Sequence, residues 1–388
     1  MDARTAADQA NQRMVDYLIA EGALWSRPLV EAFRNTPRHR FLERVFVWQP
    51  KTCRWREQLT REPSDAELRL IYSDRALITH LSKAKAGQRP VPVSSSSQPS
   101  LMAQMLEDLQ LQPGLRVLEV GAGTGYNSAL LAGVVGPDRV RSIDVDRSVL
   151  AEAWAHLRPF GERRIQLLHA DGRLGLPEAA PFDRIMVTAS TPRLERAWLE
   201  QLAPQGLLSV PLSLAPGLAF IVVGSVANGV YTGQPLRAAY FMPLRAEGEA
   251  GPDDDASASA GDEVQSTAAP WSDWVQRRRL RSGWSRLAQS LAFFALTRGH
   301  TIQYRTQQDG QPLFGVGVGA VCCWYGPTTW LVTGHPGRQL GERVWQAWLD
   351  AGGPWPTEFA LRLDLAGDLT LGAGAWAQVE RRERGGWV

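Results

Sequence analysis

Apolar residues recur at helical spacing in Met14–Trp25, MVDYLIAEGALW, where the pattern stops near Gly22, and RPLVEAFRNTP reads as a second helix stopped by Pro37. Ser100–Leu111 predicts an amphipathic helix with Leu101, Met105, Leu106 and Leu109 on one face. A short apolar strand, Arg116–Val120, then runs into Gly121-Ala-Gly-Thr-Gly125, and Asn127–Val135 is helical. The runs Val140–Val145, Ile165–His169, Arg184–Thr188 and Gly206–Val210 are strand-length and separated by helix-length segments. A βαβ series of this kind predicts an α/β fold with a doubly wound, mostly parallel sheet, whose ligands bind beyond the carboxyl ends of the strands. Further on, Leu313–Trp324 reads as strand, Gly341–Leu349 as helix and Glu358–Leu365 as strand, a smaller α+β unit.

Composition divides the chain between those two patterns. Residues 247–270 hold seven acidic residues, no basic ones and a single branched aliphatic, so they predict a flexible linker. Ten of the fifteen tryptophans fall after residue 270. The expected organisation is a catalytic domain over 1–245 with an insertion at about 48–93, an acidic linker over 246–270, and a Trp-rich accessory domain over 271–388. Lys83–Ser97, with four consecutive serines, reads as a loop. Charge adds an exclusion: 42 Lys+Arg stand against 40 Asp+Glu, and a net +2 argues against a dedicated nucleic-acid binder. No run reaches the ~18 to 20 apolar residues that a membrane span needs, and the start lacks the order of a secretory signal, so the chain is expected in the cytoplasm. Cys53, Cys322 and Cys323 form neither a disulfide framework nor a metal-ligand spacing, and no metal is expected; His300 and His335 read as structural.

The chemistry starts at the glycine turn. Gly121, Gly123 and Gly125 permit a tight strand-to-helix turn with no side chain between backbone and ligand. Asp144, ending the next strand, can accept hydrogen bonds from ribose hydroxyls. A nucleotide-type cofactor and a merely structural turn are both compatible with the glycines alone. Two details favour S-adenosylmethionine: the spacing is GxGxG rather than GxGxxG, and Glu119 would repel a pyrophosphate but suits a cationic ligand. The absence of GxxxxGK[ST] removes the P-loop reading.

Val117-Leu-Glu-Val-Gly-Ala-Gly-Thr-Gly-Tyr126, His169-Ala-Asp-Gly-Arg173, Pro181-Phe-Asp-Arg-Ile185 and Gln201-Leu-Ala-Pro-Gln-Gly206 follow one another in an order that resembles the protein-L-isoaspartate O-methyltransferase family. Thr36-Pro-Arg-His-Arg-Phe41, Tyr72-Ser-Asp74, Ser97-Gln-Pro99 and Phe241-Met-Pro-Leu244, the last resembling the family's terminal strand, extend the likeness over roughly residues 10 to 245. The resemblance implies an enzyme that methylates an aspartyl or isoaspartyl carboxylate of a peptide or protein, releasing S-adenosylhomocysteine. It places the cofactor on Glu119, Gly121, Ala122, Gly123, Thr124 and Gly125, the ribose on Asp144, and the adenine beside Asp171 and Gly172. It places the active-site hydroxyl on Ser97, with Ser94, Ser95 and Ser96 beside it. Bland readings stand next to these: Asp144 and Asp171 as helix caps, and the serines as a solvated loop. A serine suffices chemically because a carboxylic acid of pKa near 4 arrives ionised, so catalysis reduces to alignment and desolvation.

The chain also departs from the family. His80–Val93 stands where a PLPIGxGQTIS run is expected, and the region after Leu244 is additional. These additions resemble a subgroup that tailors ribosomal peptides such as lanthipeptides, lasso peptides and graspetides, methylating an aspartate of a constrained precursor so that the ester closes to an aspartimide. The resemblance rests on SSSSQPS and on Trp345-Gln-Ala-Trp-Leu-Asp-Ala351. Trp324, Trp330, Trp345, Trp348 and Trp355 could bind a peptide, although core packing is the commoner fate of tryptophan, and Arg277–Arg281 reads as a solvated helix face with peptide docking as its alternative. The expected function is tailoring of a dedicated peptide by a monomer, with general repair as the alternative and a non-enzymatic binding module as a minor one. An RNA-base methyltransferase is disfavoured because Thr188-Ala-Ser-Thr-Pro192 occupies the place of an Asn/Asp-Pro-Pro-aromatic motif.

Overall fold

The computed structural model describes residues 3–49, 51–59, 63–83, 89–158, 164–215, 218–247, 265–268, 283–306, 312–318, 321–325, 329–332, 334–364, 378–383 and 386–387. Helices α1 (Ala3–Ala20) and α2 (Arg27–Asn35) open the fold, α1 beginning earlier than its apolar pattern suggests. They are followed by β1 (Arg44–Gln49), β2 (Arg54–Leu59), α3 (Asp65–Ile71), β3 (Leu77–Leu81) and β4 (Pro92–Ser96). The four strands form one antiparallel sheet in the order β2-β1-β3-β4. Trp48 and Trp55 face each other across the first hairpin with ring centroids 5.2 Å apart, an aromatic cross-strand pair of the kind that holds a two-stranded ribbon. Ser64 caps α3 reciprocally with Glu67. The serine run is therefore a strand rather than the expected loop: serine's weak strand preference is overridden by pairing, with Ser95 opposite Ile78 and Ser96 opposite Leu77.

Helix α4 (Pro99–Asp108) leads into the main sheet through β5 (Val117–Val120), α5 (Tyr126–Val135), β6 (Val140–Asp144), α6 (Arg147–Leu157), β7 (Gln166–His169), β8 (Phe182–Val187), α7 (Arg196–Glu200) and β9 (Leu202–Ala215). These five strands run parallel in the order β9-β8-β5-β6-β7, the expected doubly wound core. Beyond Asn127 and Ser128 helix α5 is apolar, and all its residues but Gly133 are buried, between the sheet and α2. Chain order reverses at β5, which leaves a crevice at its carboxyl end between β6 and β8. Beyond β9 the sheet continues antiparallel through β10 (Leu218–Ala227) and β11 (Val230–Ala238). Phe241–Leu244 is not the expected strand; its one pairing is a bridge from Pro243 to Ser190, since Pro243 brings no N–H to a ladder.

The C-terminal part comprises β12 (Gln265–Ala268), α8 (Gly283–Thr297), β13 (Thr301–Thr306), β14 (Pro312–Val318), β15 (Val321–Tyr325), β16 (Thr329–Val332), α9 (Gly334–Asp350), β17 (Phe359–Asp364), β18 (Gln378–Glu383) and β19 (Gly386–Trp387). Strands β12 to β16 make a five-stranded antiparallel sheet, and the single strand expected over Leu313–Trp324 is two. Strand β12 lies inside the expected linker; residues 248–264 and 269–270 of that linker, and the Arg277–Arg281 cluster, are outside the described residues. The boundary in composition is not a boundary in packing. Strand β17 pairs with β11, so β17, β18 and β19 extend the main sheet to ten strands. Phe293 of α8 meets Phe220 of β10 and Phe359 of β17, both with centroids 5.2 Å apart, inside one hydrophobic cluster that reaches from Leu118 to Leu361. Trp345 and Trp348 stack on each other within that cluster, the core fate rather than a peptide-binding surface. No helix among the described residues is long and apolar enough to cross a membrane.

Candidate functional site

The crevice at the end of β5 opens into a cavity of about 750 Å³, walled by the glycine turn, the end of β6, the serine strand β4, the start of α4 and the segment Arg237–Arg245. The turn is held from below: Gly121 N and Ala122 N donate to Ile143 O at 2.8 and 3.1 Å, and Thr188 Oγ1 donates to Val120 O and Gly121 O. Gly121, at φ +101°, has no room for a Cβ, which would lie 2.4 Å from Thr188 Oγ1. Gly123 differs. At φ +53° a Cβ there would fill the space between the turn and β4, 3.6 Å from Ser95 O and 4.0 Å from Ser94 Oγ. Thr124 and Gly125 complete the turn, with Thr124 O bonded to His156 Nδ1 and Gly125 preceding the first turn of α5.

The candidate acidic residues separate into three environments. Asp144 lines the cavity, accepts Gly123 N at 3.1 Å and Asp146 N at 3.0 Å, and has its carboxyl raised by burial, an effect opposed by these hydrogen bonds and by the Arg245 charge. It is not a helix cap, because Asp146 caps α6 instead. Glu119 lies beneath the turn and is fully buried, accepting Asn127 Nδ2 at 2.7 Å and the hydroxyls of Ser128 and Ser142. Burial pushes its carboxyl up to about 7. Asp171 accepts Arg173 N at 3.0 Å, capping the short turn over Gly172–Leu174, and is paired with the Arg173 guanidinium, which holds its carboxyl below the usual range. Gly172 lines the cavity; Asp171 is not among its lining residues.

Ser94, Ser95, Ser96 and Ser97 all line the cavity. Their corner is fixed by Arg38, a fully buried cation with no carboxylate partner among the described residues. Its guanidinium donates to Ile71 O, Ser73 O, Arg75 O, Ser96 O, Ser97 O and Ser96 Oγ at 2.7 to 3.2 Å, and burial lowers it to about 10. Asp74 ties the next turn, accepting Ser100 N at 2.8 Å, Ser100 Oγ and Gln98 Nε2. The sequence carried both signals, in Pro37-Arg38 and Tyr72-Ser-Asp74, without saying what either bonds to.

Two buried polar atoms of cavity-lining residues, Tyr126 Oη and Asn127 Oδ1, have no hydrogen-bond partner among the described residues. With the Gly123 cradle and the Asp144 carboxylate they offer a ligand a hydroxyl, an amide oxygen and an anionic acceptor within one cavity. That donor and acceptor set fits a nucleoside joined to an amino acid, as S-adenosylmethionine is, and contains no cluster suited to a triphosphate. Among the described residues no group of His, Cys, Asp and Glu side chains could hold a metal ion.

The family model described as Protein-L-isoaspartate(D-aspartate) O-methyltransferase (PCMT) matches residues 72–249. A protein-L-isoaspartate O-methyltransferase of Anaeromyxobacter dehalogenans is 40% identical over 169 residues, 42% of this chain and 80% of that protein. One from Aromatoleum aromaticum is 32% identical over 245 residues, 63% of this chain and 95% of that protein. A solved structure of a protein-L-isoaspartate O-methyltransferase aligns with a TM-score of 0.51 at 20% identity, covering 94% of this chain and all of that one. That likeness of fold extends past residue 245.

Proposed function

Because the chain belongs to the protein-L-isoaspartate O-methyltransferase family, and is thus an S-adenosylmethionine-dependent carboxyl O-methyltransferase, we propose that its acceptor is the free carboxylate of isoaspartyl residues in altered proteins. The observation that carries this reading is that the neutral serine strand, the Gly123 turn and Asp144 line one cavity, with a Cβ on Gly123 reaching to 3.6 Å from Ser95 O. In this reading the turn and Asp144 hold the cofactor, which when bound supplies an electrophilic methyl group. The acceptor needs no general base because its carboxyl, with a pKa near 4, is ionised at neutral pH. What the chain must do is bind, orient and dehydrate that anion. Hydroxyls of Ser94 to Ser97 donate hydrogen bonds that fix the oxygen without the full ion pair that would lower its nucleophilicity. The Arg38 clamp holds these hydroxyls in register, so little reorganisation is left for the moment of transfer.

Tailoring of a constrained ribosomal peptide, with closure to an aspartimide, remains as the second reading and rests on the length of the chain beyond the matched segment. The relatives favour the isoaspartyl substrate. Both are tested by incubating the protein with methyl-labelled S-adenosylmethionine and three peptides: a linear isoaspartyl peptide, its aspartyl isomer, and a macrocyclic aspartyl peptide. Base-labile label on the isoaspartyl peptide alone is the expected result. Label on the macrocycle followed by loss of a water's mass relative to the starting peptide would shift the assignment to tailoring, and no label on any peptide would overturn both.

A further inference from the structure

The cavity is lined by two acidic and two basic residues, and with Glu119 buried beneath the turn Asp144 is the acid that faces an entering ligand. The four charged lining residues are Glu119, Asp144, Arg237 and Arg245. Arg237 is neutralised by Asp108, which it grips at two points, with Nη2 3.1 Å from Oδ1. Arg245 forms no ion pair with any described residue and is the remaining lining cation. It is also held in place. Pro243 bridges to Ser190, Leu244 N donates to Ser190 O at 2.7 Å, and Arg245 Nη2 donates to Val93 O at 3.0 Å, immediately before Ser94. The guanidinium thus reaches from the end of the main sheet to the head of the serine strand, and it makes no further hydrogen bond to a described residue.

We propose that Arg245 is the residue that admits the anionic acceptor: it draws the peptide's free carboxylate into the cavity beside the serines and so sets the preference for a charged over an uncharged peptide. The inference rests on the isoaspartyl reading of this site and names its specificity determinant. An anion entering past Asp144 meets like charge, and a tethered cation at the rim offsets it. The cation acts on entry, while the serine hydroxyls hold the reacting oxygen, so the effect falls on KM and not on kcat.

The test is calorimetric binding, with S-adenosylhomocysteine present, of a linear isoaspartyl peptide and of the same peptide with that carboxyl replaced by a carboxamide. The unmodified protein is expected to bind the carboxylate peptide about tenfold more tightly at low salt, equivalent to about 1.4 kcal/mol. Arg245→Gln should shrink that preference to within twofold, Arg245→Lys should keep most of it, and added salt should narrow it in the unmodified protein. KM for the isoaspartyl peptide should rise about tenfold in Arg245→Gln with kcat within twofold. Equal binding of both peptides by the unmodified protein, or a tenfold preference surviving in Arg245→Gln, would overturn the inference. So would a loss of S-adenosylhomocysteine affinity in Arg245→Gln with the peptide preference intact, which would make Arg245 a partner of Asp144 alone. Failure of the unmodified protein to methylate the isoaspartyl peptide would count against the proposed function, while the two binding constants still decide the role of Arg245.

Discussion

A single methyl group at Gly123 separates the fold from the site. Its φ of +53° lies in the left-handed region, where a residue with a Cβ costs about 1 kcal/mol more than glycine. The new carbon would meet Ser95 O at 3.6 Å and Ser94 Oγ at 4.0 Å, ordinary contact distances, so no clash adds to that cost. Gly123→Ala should lose about 1 kcal/mol out of a stability of about 5 to 15 kcal/mol and melt within a few degrees of the unmodified protein. The methyl, however, projects into the gap between the turn and β4. A ligand lying on the turn would have to move away from the backbone by about the radius of a methyl group, giving up its contacts with the turn and straining its hold on Asp144. Loss of S-adenosylhomocysteine affinity by about a hundredfold, or about 2.7 kcal/mol, is expected by calorimetry, alongside a near-native melting curve. Gly121→Ala is the contrasting control: its Cβ would lie 2.4 Å from Thr188 Oγ1, so it should lower stability and affinity together. If Gly123→Ala bound S-adenosylhomocysteine as the unmodified protein does, the turn would not be the cofactor's floor, and the assignment of the whole cavity would fall with it.

Arg38→Met should cost about 3 to 5 kcal/mol in urea unfolding, because five backbone carbonyls and the Ser96 hydroxyl lose their donor and half of those acceptors are buried; a shift below 0.5 kcal/mol would show that Arg38 does not hold the serine corner. For Glu119 the folded-state carboxyl is raised from 4.5 to about 7, so its contribution to stability is full below pH 4.5 and is lost as pH rises to 7. Replacing it with Gln removes that loss, and the stability of Glu119→Gln relative to the unmodified protein should improve by about 3 kcal/mol between pH 4.5 and pH 7 in unfolding titrations; parallel stability curves would refute the buried, raised carboxyl.

The parallel half of the fold was legible because its signals are local. Apolar runs of strand length, a GxGxG turn after the first of them and helices of 3.6 periodicity each declare themselves within about fifteen residues, and Asp144 follows as the residue that ends the next strand. What escaped depends on distant partners. Arg54–Leu59, RWREQL, is half charged and becomes a strand only because Arg44–Gln49 pairs along its whole length. The serines have no strand signal of their own and are ordered by β3 and by Arg38, 58 residues upstream of Ser96. Asp171 and Asp144 look alike in sequence, each an acid at a strand end. Arg173, two residues after Asp171, claims one of them and leaves the other to the cavity. Glu119 was read as facing the ligand, yet Ser128 and Ser142 can reach it only if it points under the turn, a choice made by residues 9 and 23 positions away.

The same dependence on distant partners gives the C-terminal region a bearing on the site that its composition hides. Strand β11 runs directly into Arg237–Arg245, the segment that forms one wall of the cavity and carries Arg245. On its inner edge β11 is paired with β10, and on its outer edge Val230–Gly233 pair with β17, while Gln234 Nε2 donates to Thr357 O at 2.6 Å. Phe220 and Tyr231, both buried, lie in a cluster that α8, α9 and β17 close. Without those elements β11 would be a bare edge beside exposed aromatic side chains, and the wall that positions Arg245 against Val93 would follow a strand held on one side only. The Trp-rich region therefore acts on the cavity through the main sheet, as a buttress for the strand that delivers its cationic rim, and a peptide-binding surface is not needed to explain why it is there.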